Sequence, residues 1–312
     1  MLDALSKSFF HALARSKSLE RMASRIGMAK PSSFARRFIA GETAEEAIEA
    51  ARAIQAKGML LTLDQLGESI TTLAEAEAAT KVYLALVEKI QAAGIDRNIS
   101  AKPTQLGLDI DQAVCIDNIT KILDAATRHD FFVRIDMENT PYIQKTLDMF
   151  ASVWSQGYRN AGVVLQSAVF RTEDDARAMS KLGARVRLVK GAYKEPAALA
   201  HQAKADVDQA FVRIMTLLLK DGAYPAIATH DPAMIAATKA FAAEQGIPKD
   251  AYEFQMLYGI RRDLQAQIVA EGYRMRVYVP FGKQWFPYFM RRLGARPANV
   301  GFVLKGVLSD RG

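Results

Sequence analysis

Short apolar runs alternate with longer amphipathic segments after Gly58, and this alternation limits the fold of the 312-residue chain more than any other feature. Such alternation is typical of repeated β-α units, which build a parallel sheet. Eight runs predict strands, at Met59–Leu63, Asn98–Lys102, Phe132–Asp136, Gly162–Gln166, Val186–Lys190, Pro225–Thr229, Tyr252–Met256 and Met275–Val279. The segments between them predict helices, at Leu73–Ala93, Ala113–Arg128, Tyr142–Gln156, Glu173–Leu182, Pro196–Leu219, Pro232–Glu244 and Arg262–Glu271. Eight units in about 250 residues predict an α/β fold, a (βα)8 TIM-type barrel.

The segment before Gly58 is helical in character. Thr43 is the predicted N-cap of an Ala/Glu-rich helix that runs to about Lys57, with acidic residues in its first turn. The sequence contains neither a G-x-G-x-x-G motif nor a Walker A loop, which disfavours a doubly wound nucleotide-binding fold. We therefore predict a helical extension over residues 1–57 and a barrel catalytic domain over residues 58–312.

Composition excludes several classes of protein. No apolar run approaches the roughly 20 residues that cross a bilayer, so no spanning helix is predicted. The Met1–Met22 segment lacks the features of a secretory signal and predicts a basic amphipathic helix, which either packs on the body of the protein or contacts a membrane surface. A single cysteine, Cys115, rules out an intrachain disulfide and favours a reducing compartment. The four scattered histidines lack metal-ligand spacing.

The net charge of +7 is confined to one segment. From Gly272 to Ser309 there is no acidic residue, and the rest of the chain carries equal numbers of basic and acidic residues. The seven basic residues of this acid-free segment are Arg274, Arg276, Lys283, Arg291, Arg292, Arg296 and Lys305. Charge concentrated in this way predicts a local anion site, not the basic coat of a nucleic-acid-binding protein.

Nearly every predicted strand ends in a polar residue. Because a barrel places its active site at the carboxyl ends of its strands, these side chains are candidates for one shared pocket. They are Asp64, Lys102, Asp136, Glu138, Gln166, Lys190, Thr229, His230, Gln255 and Tyr278. Taken singly, each has an ordinary structural explanation, since strand ends are half exposed and often polar.

The fifth predicted strand leads into the densest of these motifs, Arg187–Tyr193 (RLVKGAY). Two cations followed by a glycine, which lets the backbone approach a ligand, suit an anionic or electron-rich cofactor. Lys190 has two other interpretations: a Schiff-base nucleophile, or a salt-bridged lysine at the rim of the barrel.

A helix from Pro287 to Gly294 is predicted inside the acid-free segment. Tyr288, Arg291 and Arg292 are spaced three and four apart, so they share one helical face. Paired guanidinium groups match a small carboxylate, whereas the alternative is a solvated basic helix. Aromatic neighbours favour a lid over a pocket; they are Tyr278, Phe281, Trp285 and Phe286.

Three segments together resemble the proline dehydrogenase family: Arg187–Tyr193, Tyr252–Leu257 and Arg276–Arg292. The resemblance extends from about Lys57 to the C-terminus. It implies a distorted barrel that holds FAD non-covalently, with the final helix lying over the substrate. It also implies a monofunctional enzyme, because no aldehyde dehydrogenase domain follows.

The resemblance assigns a role to each candidate residue. For the substrate, L-proline, it implies a carboxylate grip by Arg291 and Arg292 with Lys102, and an ion pair from Asp136. The implied walls of the ring site are Tyr193, Leu257, Tyr278 and Tyr288. Arg187 is the implied catalytic residue, beside flavin N5. The other implied FAD contacts are Gln166, Lys190, Gly191, Ala192, Thr229, His230 and Gln255.

The implied reaction is hydride transfer from C5 of proline to flavin N5, giving 1-pyrroline-5-carboxylate. Electrons then pass to an acceptor, in this family usually a membrane quinone, which implies peripheral contact with the inner membrane. The lack of a clear presequence favours a cytoplasmic enzyme of the bacterial type over a mitochondrial one. Lys194 and Ala295 depart from the larger bifunctional relatives at positions near the adenosine end of FAD. Two rival hypotheses remain: a Schiff-base lyase that uses Lys190, and a non-enzymatic anion- or membrane-binding barrel.

Overall fold

All eight predicted strands form, and each pairs in parallel with the next along the chain, in a computed structural model that describes residues 27–28, 33–67 and 70–295. The last strand pairs with the first, from Leu60↔Arg276 to Gln65↔Phe281, and closes the barrel. The strands are β1 Leu60–Gln65, β2 Asn98–Ala101, β3 Phe132–Ile135, β4 Ala161–Gln166, β5 Arg185–Val189, β6 Ala226–Ala228, β7 Glu253–Leu257 and β8 Arg274–Phe281. The helices are α1 Ala44–Gln55, α2 Leu73–Ala93, α3 Gln112–Arg128, α4 Thr140–Ser155, α5 Thr172–Leu182, α6 Lys204–Asp221, α7 Pro232–Glu244, α8 Arg262–Ala270 and α9 Phe286–Ala295. The predicted (βα)8 barrel is confirmed.

Helix α6 begins at Lys204, so the predicted start at Pro196 is wrong. The preceding residues pair instead with the loop that follows β4. Val169 and Ala200 form an isolated antiparallel bridge, and the amide of Phe170 donates to the Leu199 carbonyl at 3.0 Å. These tertiary hydrogen bonds satisfy backbone groups that a longer helix would otherwise pair internally.

Helix α1 packs on the outside of the seam between β1 and β8. It is amphipathic, with Ala47, Ile48, Ala51 and Ile54 facing the barrel's apolar core. Its start confirms Thr43 as the N-cap, because the threonine side chain and the Glu46 side chain form a reciprocal capping box. The division between residues 1–57 and 58–312 stays a prediction, and α1 shares the core of the barrel.

The interior of the barrel is unusually rich in charge. Arg276 donates from Nε to Glu253 at 2.8 Å and from Nη1 to Asp96 at 2.7 Å, so it is neutralised inside the barrel. Arg134 needs space that Gly162 provides, because a Cβ at position 162 would lie 2.7 Å from its Nη1. Paired in this way, Arg276 belongs to the barrel interior and contributes nothing to an anion site at the mouth.

Some predicted features lie outside the described residues. The amphipathic helix of Met1–Met22 is one of them, and the basic residues Arg296 and Lys305 are others. The predicted end of the last helix at Gly294 is wrong, since α9 continues through Gly294 to Ala295.

Candidate active site

A buried ion pair lies at the carboxyl ends of β1 and β2. Lys102 Nζ is 2.6 Å from Asp64 Oδ1 and 3.9 Å from Asp136 Oδ2, and the Asp64 side chain is completely buried. Burial raises the pKa of Asp64, and repulsion from Asp136 adds to this, while Lys102 opposes both. Burial lowers the pKa of Lys102, but the two carboxylates outweigh it and raise that pKa, so the lysine is held as a cation.

Asp136 connects this pair to two further strands. Its Oδ1 accepts from Ser100 Oγ at 2.8 Å and from Arg187 Nη1 at 2.9 Å. Its Oδ2 accepts from the Tyr278 hydroxyl at 2.9 Å. Burial raises the pKa of Tyr278, and Asp136 adds to the rise, so this phenol stays protonated as a donor. Side chains from β2, β5 and β8 thus meet on the carboxylate that follows β3.

Arg187 is only 4% exposed, yet it uses only part of its hydrogen-bonding capacity. Its Nε and Nη2 atoms are buried and have no hydrogen-bond partner among the described residues. Its guanidinium also lies over the Tyr278 ring, 5.2 Å from the centroid. Because unsatisfied buried donors are costly, this edge of Arg187 is suited to an electron-rich ligand with acceptor atoms.

The side chains described so far form one buried cluster, called the central cluster below; they are Asp64, Ser100, Lys102, Asp136, Arg187 and Tyr278. A pocket of about 180 Å³ lies between Lys102 of this cluster and helix α9. Its lining residues come from the loops after β1, β2 and β8 and from α9; they are Leu66, Gly67, Lys102, Gln284, Pro287, Tyr288 and Arg291. Tyr288 is buried, and its hydroxyl has no hydrogen-bond partner among the described residues. The Arg292 guanidinium lies over the Tyr288 ring, 5.2 Å from its centroid. Tyr288 and Arg291 thus line this pocket, whereas Arg292 contacts the Tyr288 ring and is not among the lining residues.

The outer face of α9 is covered by the chain segment before α1. Phe289 packs against Phe34 and Phe38, with ring centroids 5.2 and 6.1 Å apart. The Trp285 indole donates to Glu42 at 3.1 Å. These contacts form a second apolar core beside that of the barrel, and they hold α9 over the mouth as the sequence predicted.

Residues 47–305 match the family model described as proline dehydrogenase. The chain belongs to the proline dehydrogenase family. Proline dehydrogenase 2 of Bacillus subtilis (strain 168) is 41% identical over 303 residues, which cover 97% of this chain and 99% of that protein. Proline dehydrogenase of Deinococcus radiodurans is 39% identical over 312 residues, which cover 99% of each chain.

Solved structures of larger relatives share the fold. The crystal structure of proline utilization A (PutA) from Bdellovibrio bacteriovorus, inactivated by N-propargylglycine, gives a TM-score of 0.78 at 28% identity. The match covers 83% of this chain and 32% of that chain, so this family member spans about a third of the PutA length.

The residues that the family resemblance assigns to the substrate are the ones the structure brings together best. Lys102, Asp136 and Tyr278 are joined by direct contacts, and Tyr288 and Arg291 line the same pocket. Leu257 ends β7 beside β8, with its Cα paired to that of Tyr278. Tyr193 lies half buried in the loop after β5.

The residues assigned to FAD form a looser group. The Gln166 side chain donates to the Glu138 carbonyl at 2.8 Å. Gly191 packs beside Gln166 with a φ of 115°, and a Cβ at position 191 would lie 3.4 Å from Gln166 Oε1. His230 Nε2 accepts from the Leu257 amide at 2.9 Å. The Thr229 hydroxyl accepts a hydrogen bond from the Asp231 amide, and the Gln255 side chain donates one to the Glu253 carboxylate. Ala192 is exposed in the loop after β5.

Lys190 has partners that the sequence did not indicate. Its Nζ lies 2.5 Å from Asp208 on α6 and 2.6 Å from Asp231, the N-cap of α7. Of its three interpretations, the salt-bridged lysine at the rim describes these contacts. Asp231 directly follows the candidate residues Thr229 and His230, but no pattern links it to Lys190, and Asp208 lies inside a predicted helix.

Two members of the central cluster were not assigned as site residues. Asp64 stood among the polar strand ends, but no pattern linked it to Lys102. Ser100 is not among the predicted strand-end residues, although it precedes Lys102 by two positions and strand alternation therefore puts both side chains on one face. Within the described part of the chain, no group of three His, Cys, Asp or Glu side chains has the arrangement of a metal site.

Proposed function

We propose that this chain oxidises L-proline to 1-pyrroline-5-carboxylate, the first step of proline catabolism, with FAD as its cofactor. Family membership supports the activity. The observation that carries the proposal is the small pocket lined by Lys102 and by Arg291 of α9. Lys102 connects this pocket to Asp136, which binds Arg187 and Tyr278. Cations on both sides of a small pocket suit a small carboxylate substrate.

The proposed substrate pose follows from the charges around the pocket. The carboxylate binds between Lys102 and the guanidinium groups of Arg291 and Arg292. The ring then contacts the walls formed by Tyr193, Leu257, Tyr278 and Tyr288. Because α9 forms one side of the pocket, it limits the access of bulk water, which strengthens the electrostatic contacts there.

The described residues fit FAD on the side of Arg187. The Nε and Nη2 atoms of Arg187, which have no partner among the described residues, provide two buried hydrogen-bond donors on a positively charged group for a flavin. We propose further contacts from residues around the ends of β4 to β7; they are Gln166, Lys190, Gly191, Ala192, Thr229, His230 and Gln255. When bound, FAD supplies the hydride acceptor. Arg187 favours the electron-rich reduced form, and Asp136 with Tyr278 holds Arg187 in place.

The rival lyase reaction requires Lys190 as a neutral nucleophile. Two carboxylates contact the Lys190 ammonium group instead, Asp208 at 2.5 Å and Asp231 at 2.6 Å. Both carboxylates would have to be displaced before the Lys190 nitrogen could attack a carbonyl group. The contacts therefore favour oxidation over the lyase.

An absorption spectrum of the purified protein tests the proposed function. We expect a flavin spectrum that bleaches when L-proline is added without oxygen, and 1-pyrroline-5-carboxylate as product. A colourless protein that borohydride traps covalently on a carbonyl substrate at Lys190 would establish the lyase instead. A flavin spectrum that proline leaves unchanged would show that the substrate is another compound.

Each arginine of the pair is expected to contribute to proline binding. Arg291→Lys and Arg292→Lys retain the charge but lose the planar fork that binds a carboxylate through two parallel hydrogen bonds. We expect KM for proline to rise about tenfold or more in each variant, from the loss of about 1.5–3 kcal/mol per charged hydrogen bond. Steady-state kinetics measure this. Arg261→Lys is the matched control, because Arg261 pairs with Asp263 on the surface. A KM that stays at the wild-type value in both variants would remove the pair from the carboxylate site.

Tyr288 is expected to set the substrate preference. Its buried ring lines the pocket, so a hydroxyl group at C4 of the substrate would be crowded. We expect kcat/KM for L-proline to exceed that for 4-hydroxy-L-proline by about tenfold, a typical cost of misfit in a pocket. Tyr288→Ser is expected to narrow the ratio. Equal kcat/KM values for the two substrates in the unaltered enzyme would contradict this role.

We further propose that a membrane quinone takes the electrons and that the chain contacts the inner membrane peripherally from the cytoplasm. In residues 27–28, 33–67 and 70–295, no helix is long and apolar enough to cross a bilayer. The amphipathic segment Met1–Met22 supports a surface contact by its composition. Flotation with anionic phospholipid vesicles tests the contact, and absence of the protein from the vesicle fraction at low salt would refute it.

A further inference from the structure

Ser100 occupies a position between the two charged side chains at the centre of the cluster. It lies on β2 with no exposed surface. Its Oγ is 2.8 Å from Asp136 Oδ1, which follows β3, and 3.3 Å from Arg187 Nη1 on β5. Strands β2 and β5 are not neighbours in the sheet, so the contact with Arg187 crosses the interior of the barrel.

The chemistry of the three groups fixes the direction of each hydrogen bond. A carboxylate only accepts, a guanidinium only donates, and a serine hydroxyl has one proton and two lone pairs. Ser100 Oγ also lies 3.4 Å from the Arg134 carbonyl, but Asp136 is the nearer acceptor and carries a charge. The Ser100 proton therefore goes to Asp136, and a lone pair of the same oxygen accepts from Arg187. Since Arg187 Nη1 also donates to Asp136 Oδ1, the three side chains form a closed triangle of hydrogen bonds.

This triangle determines which edge of the arginine faces away from it. Asp136 and Ser100 both bind the Nη1 atom of Arg187. The Nε and Nη2 atoms are left as an adjacent pair of buried donors, without a hydrogen-bond partner among the described residues. A guanidinium held by one contact at Nη1 can swing about that contact, whereas a second contact at the same atom restricts it.

We propose that Ser100 is a positioning residue for the proposed oxidation. It fixes Arg187 by its own hydrogen bond to Nη1 and by its hydrogen bond to Asp136, so that the Nε and Nη2 edge meets the flavin. The proposal rests on the proposed function. It assigns no contact between Ser100 and the substrate or cofactor. With its orientation fixed, the Arg187 guanidinium stabilises the reduced flavin. Loss of the Ser100 hydroxyl should therefore lower the rate of hydride transfer more than it weakens proline binding.

The test compares Ser100→Ala with Thr238→Val. Thr238 is equally buried, and its hydroxyl donates to the Met234 carbonyl within α7, away from the cluster. We expect Ser100→Ala to lower kcat about five- to tenfold, the effect of one buried hydrogen bond of about 1–1.5 kcal/mol, with KM for proline changed less than twofold. We also expect the midpoint potential of the bound flavin to become more negative. Thr238→Val is expected to change Tm by a similar amount and to leave kcat and the potential unchanged.

The outcomes separate this proposal from the function on which it rests. A wild-type protein whose flavin is not reduced by proline contradicts the proposed function, whatever Ser100→Ala does. A wild-type protein that is reduced, with an unchanged kcat and flavin potential in Ser100→Ala, overturns the positioning role alone. A rise in KM without a change in potential overturns it as well. If Ser100→Ala does not fold, Ser100→Cys keeps a side chain of the same shape, slightly larger and with a weaker donor, and the same two measurements decide.

Discussion

Replacing Lys102 with methionine is expected to lower the free energy of unfolding by about 3–5 kcal/mol, the usual cost of removing one partner from a buried ion pair. Asp64 would then remain in the barrel with a side chain that has no exposed surface and with its cation removed. Urea unfolding monitored by circular dichroism measures the loss. Lys89→Met is the matched control, because Lys89 pairs with Glu45 at an exposed site, where about 1 kcal/mol or less is expected.

The loss should grow as pH rises. Burial already raises the pKa of Asp64, and the removal of Lys102 raises it further. A carboxyl group whose pKa is higher in the folded than in the unfolded state binds more protons when folded, so stability falls as pH increases above the ordinary value of about 4. The deficit of Lys102→Met relative to wild type is therefore expected to be larger at pH 8 than at pH 5. Adding Asp64→Leu should recover much of the loss, and a deficit independent of pH would show that Asp64 is not its cause.

The barrel was predictable from the sequence because each strand is encoded by a pattern of neighbouring residues. A buried parallel strand needs a short apolar run, and eight such runs alternate with amphipathic segments that have the length of helices. Prediction failed where distant residues compete for the backbone. Pro196 begins a sequence pattern that is typical of a helix, but Ala200 forms a β-bridge with Val169 in the loop after β4. No local sequence pattern predicts that partner.

The candidate site was predictable to a similar depth. The rule that polar groups at strand ends share a pocket located Lys102, Asp136 and Tyr278, which the structure joins. The partners were beyond reach, because closure of the barrel selects them across long separations in sequence. Asp64 is 38 residues from Lys102, and Ser100 is 87 residues from Arg187. The same closure pairs Arg276 with Asp96 and Glu253. The number of basic residues in the acid-free segment therefore overstates the positive charge at the anion site.

Arg187→Met is expected to reduce the rate of flavin reduction by proline at least about 100-fold, the effect of removing a preorganised charge from a site that excludes water. The substitution removes the two buried donors at Nε and Nη2 that fit an electron-rich ligand. It also removes the 2.9 Å ion pair with Asp136, which leaves that carboxylate with Ser100, Tyr278 and the more distant Lys102. Anaerobic stopped-flow absorbance measures the rate directly.

Arg185→Met provides the matched control for this prediction. Arg185 begins the same strand, two positions before Arg187, and its guanidinium lies over Phe132 and Tyr224, 5.1 Å from each ring centroid. It carries the same charge as Arg187 but makes no contact with Asp136 in the described structure, so its loss should change the rate less than about threefold, a surface-type effect. Arg187→Lys should recover part of the rate, because it restores the charge without the fork. If Arg187→Met binds FAD and is reduced within tenfold of the wild-type rate, the buried edge of Arg187 does not act on the flavin, and the two unpartnered donors require another ligand.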